Sequence, residues 1–166
     1  MSPRTDAPDS TDRAIDVASL ATRLALAPSR WRPLVRHERA ARVYVPIPDL
    51  ECDAWVITWA PGTGLARHDH GGAEGAMAVL EGTLVERHGR TWAPATFRRR
   101  VLDTGSVVAF GADHIHDVRN EGVAPAISLH VYAPSLDSMH FYADDPRDDL
   151  TVDYRTAVDL GPEAGP

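Results

Sequence analysis

Two histidines with one residue between them, in Arg67-His68-Asp69-His70, are the first side chains in this sequence able to do chemistry. On an extended strand, residues i and i+2 share a face, so both imidazoles project to one side while Arg67 and Asp69 project to the other. Imidazole chelation of a divalent ion needs a third ligand. A candidate lies far along the chain, His116, within the stretch from Gly105 to Asn120. His114 shares a strand face with it and stands as its alternative. A second polar run, Ser128-Leu129-His130-Val131-Tyr132, puts a hydroxyl, an imidazole and a phenol at period two, again on one strand face. Taken alone, that pattern is a strand with its polar face in solvent. In an interior it would be a hydrogen-bond relay, which buried polar groups require in any case.

Such side chains need elements that hold them. A chain of 166 residues with 43% hydrophobic residues is long and apolar enough for one domain with a real core. The domain is expected over residues 15–160, with flexible tails at 1–14 and 161–166, the first polar and acidic and too poor in apolar side chains to offset its ordering entropy. Ile15, Val17, Leu20, Ala21 and Leu24 follow a near-helical period, and Ser29 to His37 reads as a second short helix interrupted by Pro33. Short β-rich runs follow at 42–47, 54–59, 76–80, 84–88, 96–102, 107–110, 115–118, 126–132 and 151–154, separated by turn signals such as Pro61-Gly62, Gly71-Gly72 and Glu121-Gly122. Many short strands with regular turns make an all-β sandwich or barrel with an N-terminal helical cap.

Composition excludes several function classes. A formal net charge of −7 lacks the basic footprint of a nucleic-acid-binding domain. Cys52 is the sole cysteine, so no intramolecular disulfide requires an oxidising compartment. Asp6, Asp9, Asp12 and Asp16 occupy the place of a signal peptide's basic and apolar regions, and no apolar run reaches membrane-spanning length. The expectation is a cytoplasmic protein, monomeric or a small homo-oligomer, with neither nucleic acid nor membrane as partner. Outside the candidate site, His37 and His88 are expected at the surface. Trp55 and Trp59 are expected in the core, Arg98-Arg99-Arg100 on a solvated edge strand, and Cys52 as a bystander.

The two histidine segments together resemble the paired motifs of the cupin superfamily of small β-barrels, or jelly rolls. Gly62, five residues and then His68-Asp69-His70 match the first motif, and Gly105 to His116 to Asn120 has the length of the second. The resemblance assigns His68, His70 and His116 as metal ligands. The glutamate that many cupins add would fall, counting back from Gly82, on Gly75; Glu74 is adjacent, but a one-residue shift on a strand turns a side chain to the opposite face, which favours three histidines alone. Three neutral ligands leave a divalent ion's charge uncompensated and favour an anionic exogenous ligand.

The order His-x-His, Glu81-Gly82, Ile115-His116-Asp117-Val118-Arg119-Asn120, Ser128-x-His130-x-Tyr132 and Met139-His140-Phe141-Tyr142 resembles the cysteine dioxygenase family of thiol dioxygenases. That resemblance implies Fe(II), a small thiol and O2 as reactants, a sulfinate as product, and Ser128, His130 and Tyr132 as a hydrogen-bonding triad beside the metal. Two departures stand out. Where some members carry a cysteine crosslinked to the triad tyrosine, this chain has Gly75. Where the family has a carboxylate-binding arginine two residues after a tyrosine, Tyr44-Val45-Pro46 puts proline. Arg42, on the same strand face as Tyr44, is the candidate substitute, while Arg67 is expected to point away from the metal. Cysteine, a mercapto acid, and a larger thiol or thione all remain open as substrates. The competing classes are a metal-dependent cupin acting on a non-thiol substrate, which has no need for the triad, and a non-catalytic ligand-binding cupin, which has no need for a full ligand set.

Overall fold

The apolar period after Asp16 folds as helix α1 (Val17–Ala25), and Asp16 caps it by accepting hydrogen bonds from the Ser19 backbone N–H at 3.0 Å and the Ser19 hydroxyl at 2.6 Å. A short helix α2 (Pro28–Trp31) runs straight into a 3-10 turn (Arg32–Leu34), where Pro33 sits early enough that its missing N–H interrupts no bond. The second helical segment therefore ends at Leu34, short of the expected His37. The computed structural model describes residues 15–90, 93–142 and 152–157. The tails expected at 1–14 and 161–166 lie outside the described residues.

Among the described residues eleven strands follow: β1 (Arg42–Pro46), β2 (Asp53–Trp59), β3 (Gly64–His68), β4 (Glu74–Glu81), β5 (Thr83–Arg90), β6 (Ala93–Asp103), β7 (Val107–Phe110), β8 (His114–Arg119), β9 (Ala126–Ala133), β10 (Ser138–Tyr142) and β11 (Val152–Ala157). Nine coincide with expected runs; β3 and β10 do not, because neither has the alternating apolar pattern that marks a half-buried strand. The strands form two antiparallel sheets, ordered β1-β2-β9-β4-β7 and β11-β10-β3-β8-β5-β6. They face each other as a jelly roll, and among the described residues no strand pairs across to close them into one ring. Between them lies an interior layer that includes Trp55, Ile57, Met77 and Tyr132 from the first sheet and Leu84, Leu102 and Val118 from the second.

The first sheet is covered on its other face as well. Val17, Ala21 and Leu24 of α1, with Trp31 of α2, pack on Val56, Ala76, Ala78, Leu129 and Val131. Burial of each larger aliphatic side chain there contributes about 1.5–3 kcal/mol. This helical cap decides how β9 is read. Leu129 and Val131 point out beneath the helices, so Ser128, His130 and Tyr132 point into the interior instead of into solvent, all three at most 5% exposed. Cys52 packs against the same outer layer, away from the interior. Among the described residues, no helix is long and apolar enough to cross a membrane.

Candidate metal centre

Register places the histidines. His68, the last residue of β3, pairs directly with His116 on β8, and the chain then turns so that His70 approaches both. Ring centroids lie 4.6 Å apart for His68 and His116, 4.9 Å for His70 and His116, and 5.1 Å for His68 and His70. One ligand nitrogen from each lies within 4.8 Å of the others. All three side chains are 1% exposed. Burial first, and then the neighbouring imidazoles, hold the pKa values of His68 and His70 well below the usual histidine value, so both are neutral and able to ligate.

The hydrogen bonds free one nitrogen on each ring. His68 Nδ1–H donates to the Ala66 carbonyl at 2.7 Å, and His116 Nδ1–H to Glu86 Oε1 at 2.8 Å, which leaves both Nε2 lone pairs available. Among the described residues neither nitrogen of His70 has a hydrogen-bond partner, although both are buried. A divalent metal held by the three rings satisfies that orphaned group, and the donor set fits it.

Asp69 lies between His68 and His70, just past the end of β3, and its side chain turns toward β10. Its carboxylate accepts from the His140 Nδ1–H at 2.9 Å, the Gly71 N–H at 2.9 Å and the Tyr142 hydroxyl at 2.6 Å, which ties the His68-His70 segment to β10. Arg67 also points away, its guanidinium 4.4 Å from the Phe97 ring centre. Asn120, just past β8, ties the end of β2 to the loop before β9, its side-chain amide donating to the Trp59 carbonyl at 3.0 Å and to the Ala124 carbonyl at 2.8 Å.

Sequence reasoning missed Glu86. This carboxylate is fully buried on β5 and accepts from His116 Nδ1–H and from His114 Nε2–H, the latter at 3.1 Å, while Arg100 forms an ion pair with it. Burial alone would raise its pKa, but the hydrogen bonds from His114 and His116, and then that from Arg100, hold it far below the usual carboxylate range. Glu86, His114 and His116 also form a cluster of ligand-type atoms, but Glu86 is already engaged by Arg100 and His114 bonds to Glu86 itself. The one sequence signal was that Glu86 alternates with Leu84 on the inward face. Two surface expectations change with it. Arg98 and Arg99 lie exposed on the edge strand β6, whereas Arg100 reaches inward to Glu86, and His88 is half-buried with its ring 5.8 Å from His114.

The polar run on β9 forms a continuous chain of hydrogen bonds. Trp59 Nε1–H donates to Ser128 Oγ at 2.9 Å, Ser128 Oγ lies 3.0 Å from His130 Nε2, and His130 Nδ1 lies 3.2 Å from the Tyr132 hydroxyl. Tyr132 stands beside the histidines, its ring centre 5.1 Å from that of His70. Burial, then the proximity of His116, pushes His130 down to about 3, and burial raises Tyr132 above the range of the free phenol. Both are neutral near pH 7. Trp59, expected only as core, is both core and part of this chain.

Arg42, Tyr44 and Pro46 lie on the inward face of β1, opposite Trp59, Ile57 and Trp55 respectively. The Arg42 guanidinium sits 5.6 Å from the Tyr44 ring centre and 5.9 Å from that of Trp59, and its charge contributes to lowering the pKa of His68. Glu74 is exposed at the start of β4. At Gly75, opposite Tyr132, a Cβ would meet Phe110 at 2.4 Å and Tyr132 Cδ1 at 3.0 Å. Phe110 thus fills the space a side chain there would need. Gly75→Cys should lower thermal stability by about 1–3 kcal/mol through overpacking, and intact mass should show no loss of the two hydrogens that a bond to Tyr132 would release.

Comparison with solved structures places this architecture among known folds. A protein of Thermus thermophilus is 28% identical, with 63% of this chain and 93% of that one covered at a TM-score of 0.54. An uncharacterised conserved protein with a double-stranded β-helix domain from Klebsiella pneumoniae is 18% identical, covering 68% and 94% at 0.56. A sugar phosphate isomerase from a cupin superfamily, of Silicibacter pomeroyi, is 22% identical, covering 63% and 66% at 0.51. The fold is that of the cupins. The model of the family described as cysteine dioxygenase type I matches residues 11–145, a span that takes in the three histidines, Glu86, the polar run of β9 and the strand carrying Arg42. The chain belongs to the cysteine dioxygenase type I family.

Proposed function

We propose that this protein is an Fe(II)-dependent thiol dioxygenase that converts a small thiol and O2 to a sulfinate, with His68, His70 and His116 holding the iron. The observation that carries this reading is the Ser128–His130–Tyr132 chain emerging beside His70, because a metal site for a non-thiol reaction would need the three histidines and leave that chain without a task. Both atoms of O2 end on sulfur, which is oxidised by as many electrons as O2 takes up, so the reaction needs no other reductant. Iron, when bound, supplies a Lewis acid that favours the thiolate and a redox-active ion that lifts the spin restriction on O2. The protein's own side chains do the rest. Trp55, Ile57 and Phe110 wall the interior and exclude water, Tyr132 offers a protonated hydroxyl beside the histidines, and His130 holds that hydroxyl in place.

Arg42 is the group we assign to the acidic end of the substrate. Pro46 has no donor to offer, whereas the Arg42 guanidinium lies on the inward face and its charge is felt at His68. Arg42→Ala should raise the KM of a carboxylate-bearing thiol about 10- to 100-fold with little change in kcat, the signature of lost uniform binding of a charged group. A neutral thiol should be unaffected. Adding a thiol panel anaerobically to the Fe(II) protein, then O2, and following O2 consumption and product mass tests both assignments. Efficient turnover of cysteine that survives Arg42→Ala would remove Arg42 from the pocket, and no product from any thiol would remove the activity.

A further inference from the structure

Two of the metal-site histidines are oriented by different kinds of acceptor. His68 Nδ1–H donates to a neutral backbone carbonyl, that of Ala66 at 2.7 Å, whereas His116 Nδ1–H donates to the Glu86 carboxylate at 2.8 Å. A carbonyl fixes the tautomer and the ring direction as well as a carboxylate does, so what Glu86 adds at His116 is charge. We propose that Glu86 and Arg100 together set the charge that reaches the metal site through His116: the carboxylate makes the bound ion richer in electrons, and Arg100, a positioning residue on β6, limits that effect from the solvent side.

Packing does not ask for this pair. Glu86 and Arg100 face each other across β5 and β6, and the neighbouring pair on the same face of the same two strands is Leu84 and Leu102, both buried. An apolar pair at 86 and 100 would continue that layer, and replacing a buried ion pair by well-packed apolar residues is often neutral or stabilising. The connectivity points to the metal site instead. Glu86 Oε1 accepts from His116 Nδ1–H and from His114 Nε2–H, the second at 3.1 Å, while Oε2 is taken by Arg100 Nε–H. The negative charge therefore lies one hydrogen bond from a ligand ring, and the positive charge one bond further out, on a half-buried side chain that reaches solvent. A carboxylate behind a ligating imidazole raises its basicity, which favours Fe(III) over Fe(II). A cation on the same carboxylate draws part of that charge back.

The proposal rests on the three-histidine metal site and not on the thiol oxidation. The Fe(III)/Fe(II) midpoint potential of the full, iron-loaded chain in a mediated redox titration tests it, with the azide affinity of the Fe(III) form as a second reading. Glu86→Gln, which keeps an oxygen for His116 and removes the charge, should raise the potential and tighten azide binding about tenfold. Arg100→Gln leaves Glu86 with both imidazole donors, which keep it ionised, and should lower the potential and weaken azide binding about threefold. Arg100→Lys, which restores the positive charge, should stay near wild type. A purely structural pair would shift both readings the same way in Glu86→Gln and Arg100→Gln, since each loosens the same support. If Glu86→Gln loses its iron, the difference between Arg100→Gln and Arg100→Lys carries the test. Potentials that move in one direction in Glu86→Gln and Arg100→Gln, or an Arg100→Gln indistinguishable from Arg100→Lys, would overturn the proposal. Absence of thiol oxidation in the iron-loaded wild type would overturn the activity while leaving this tuning intact.

Discussion

His70→Ala should purify without its metal, and so should His68→Ala and His116→Ala. His70 makes the sharpest case because both ring nitrogens are buried without a hydrogen-bond partner among the described residues, so no structural bond there explains the imidazole. Removing one of three neutral ligands leaves two, and a two-histidine site does not compete for a divalent ion. Metal content should fall from about one per chain to below about one tenth. Glu86→Gln should act through His116 and weaken metal binding about 10- to 100-fold without abolishing it, as loss of the carboxylate behind a ligating histidine does. Chelator competition with Co(II) or Zn(II) measures both without reference to activity. Full metal content in His116→Ala together with loss in His114→Ala would move the third ligand to His114 and the cluster around Glu86.

Acid should destabilise the metal-free chain well before its carboxylates titrate. Burial and the nearby His116 lower the pKa of His130 from 6.5 to about 3 in the folded state. The unfolded chain therefore takes up a proton as pH falls through about 6.5, while the folded chain does not until about 3, so the contribution of neutral His130 is complete above that window and is lost on descending through it. Each pH unit costs roughly 1.4 kcal/mol per such group, and His68 and His70, lowered by the same burial, add in the same direction. Glu86 joins only at lower pH, where the unfolded carboxylate begins to protonate. The urea midpoint should fall clearly between about pH 7 and about pH 5, and in His130→Gln the slope should be shallower by up to one proton. An identical pH dependence in the variant would mean that His130 is protonated or solvated in the folded state.

The parts of this site visible in the sequence are those that local geometry determines. His68 and His70 stand two apart, Ser128, His130 and Tyr132 alternate, and Arg42 shares a face with Tyr44; strand period alone groups each set. What could not be read is what register decides. Glu86 meets His116 because β5 lies between β8 and β6, and nothing in Val85-Glu86-Arg87-His88 states which strands flank it. Arg100 and His88 were expected in solvent for the same reason, since each is drawn toward Glu86 or His114 by a neighbour far away in sequence. Strands β3 and β10 escaped pattern reading because β3 ends in Arg67 and His68 and β10 carries His140 and Tyr142 to bind Asp69, so polar side chains replace the apolar alternation. The orientation of β9 was ambiguous by pattern and is settled by the helices, whose Val17, Ala21 and Leu24 claim its apolar face.

The central claim is that three histidines and the chain ending at Tyr132 serve one reaction, the transfer of both atoms of O2 to a thiol sulfur. Turnover of a carboxylate-bearing thiol by the iron-loaded protein under oxygen-18 gas, with the product weighed by mass spectrometry, tests it most directly. The account predicts a sulfinate carrying two labelled oxygens, formed at a rate that falls with the metal in His70→Ala. Oxygen drawn from water, or no sulfinate from any thiol offered to the fully iron-loaded protein, would contradict it.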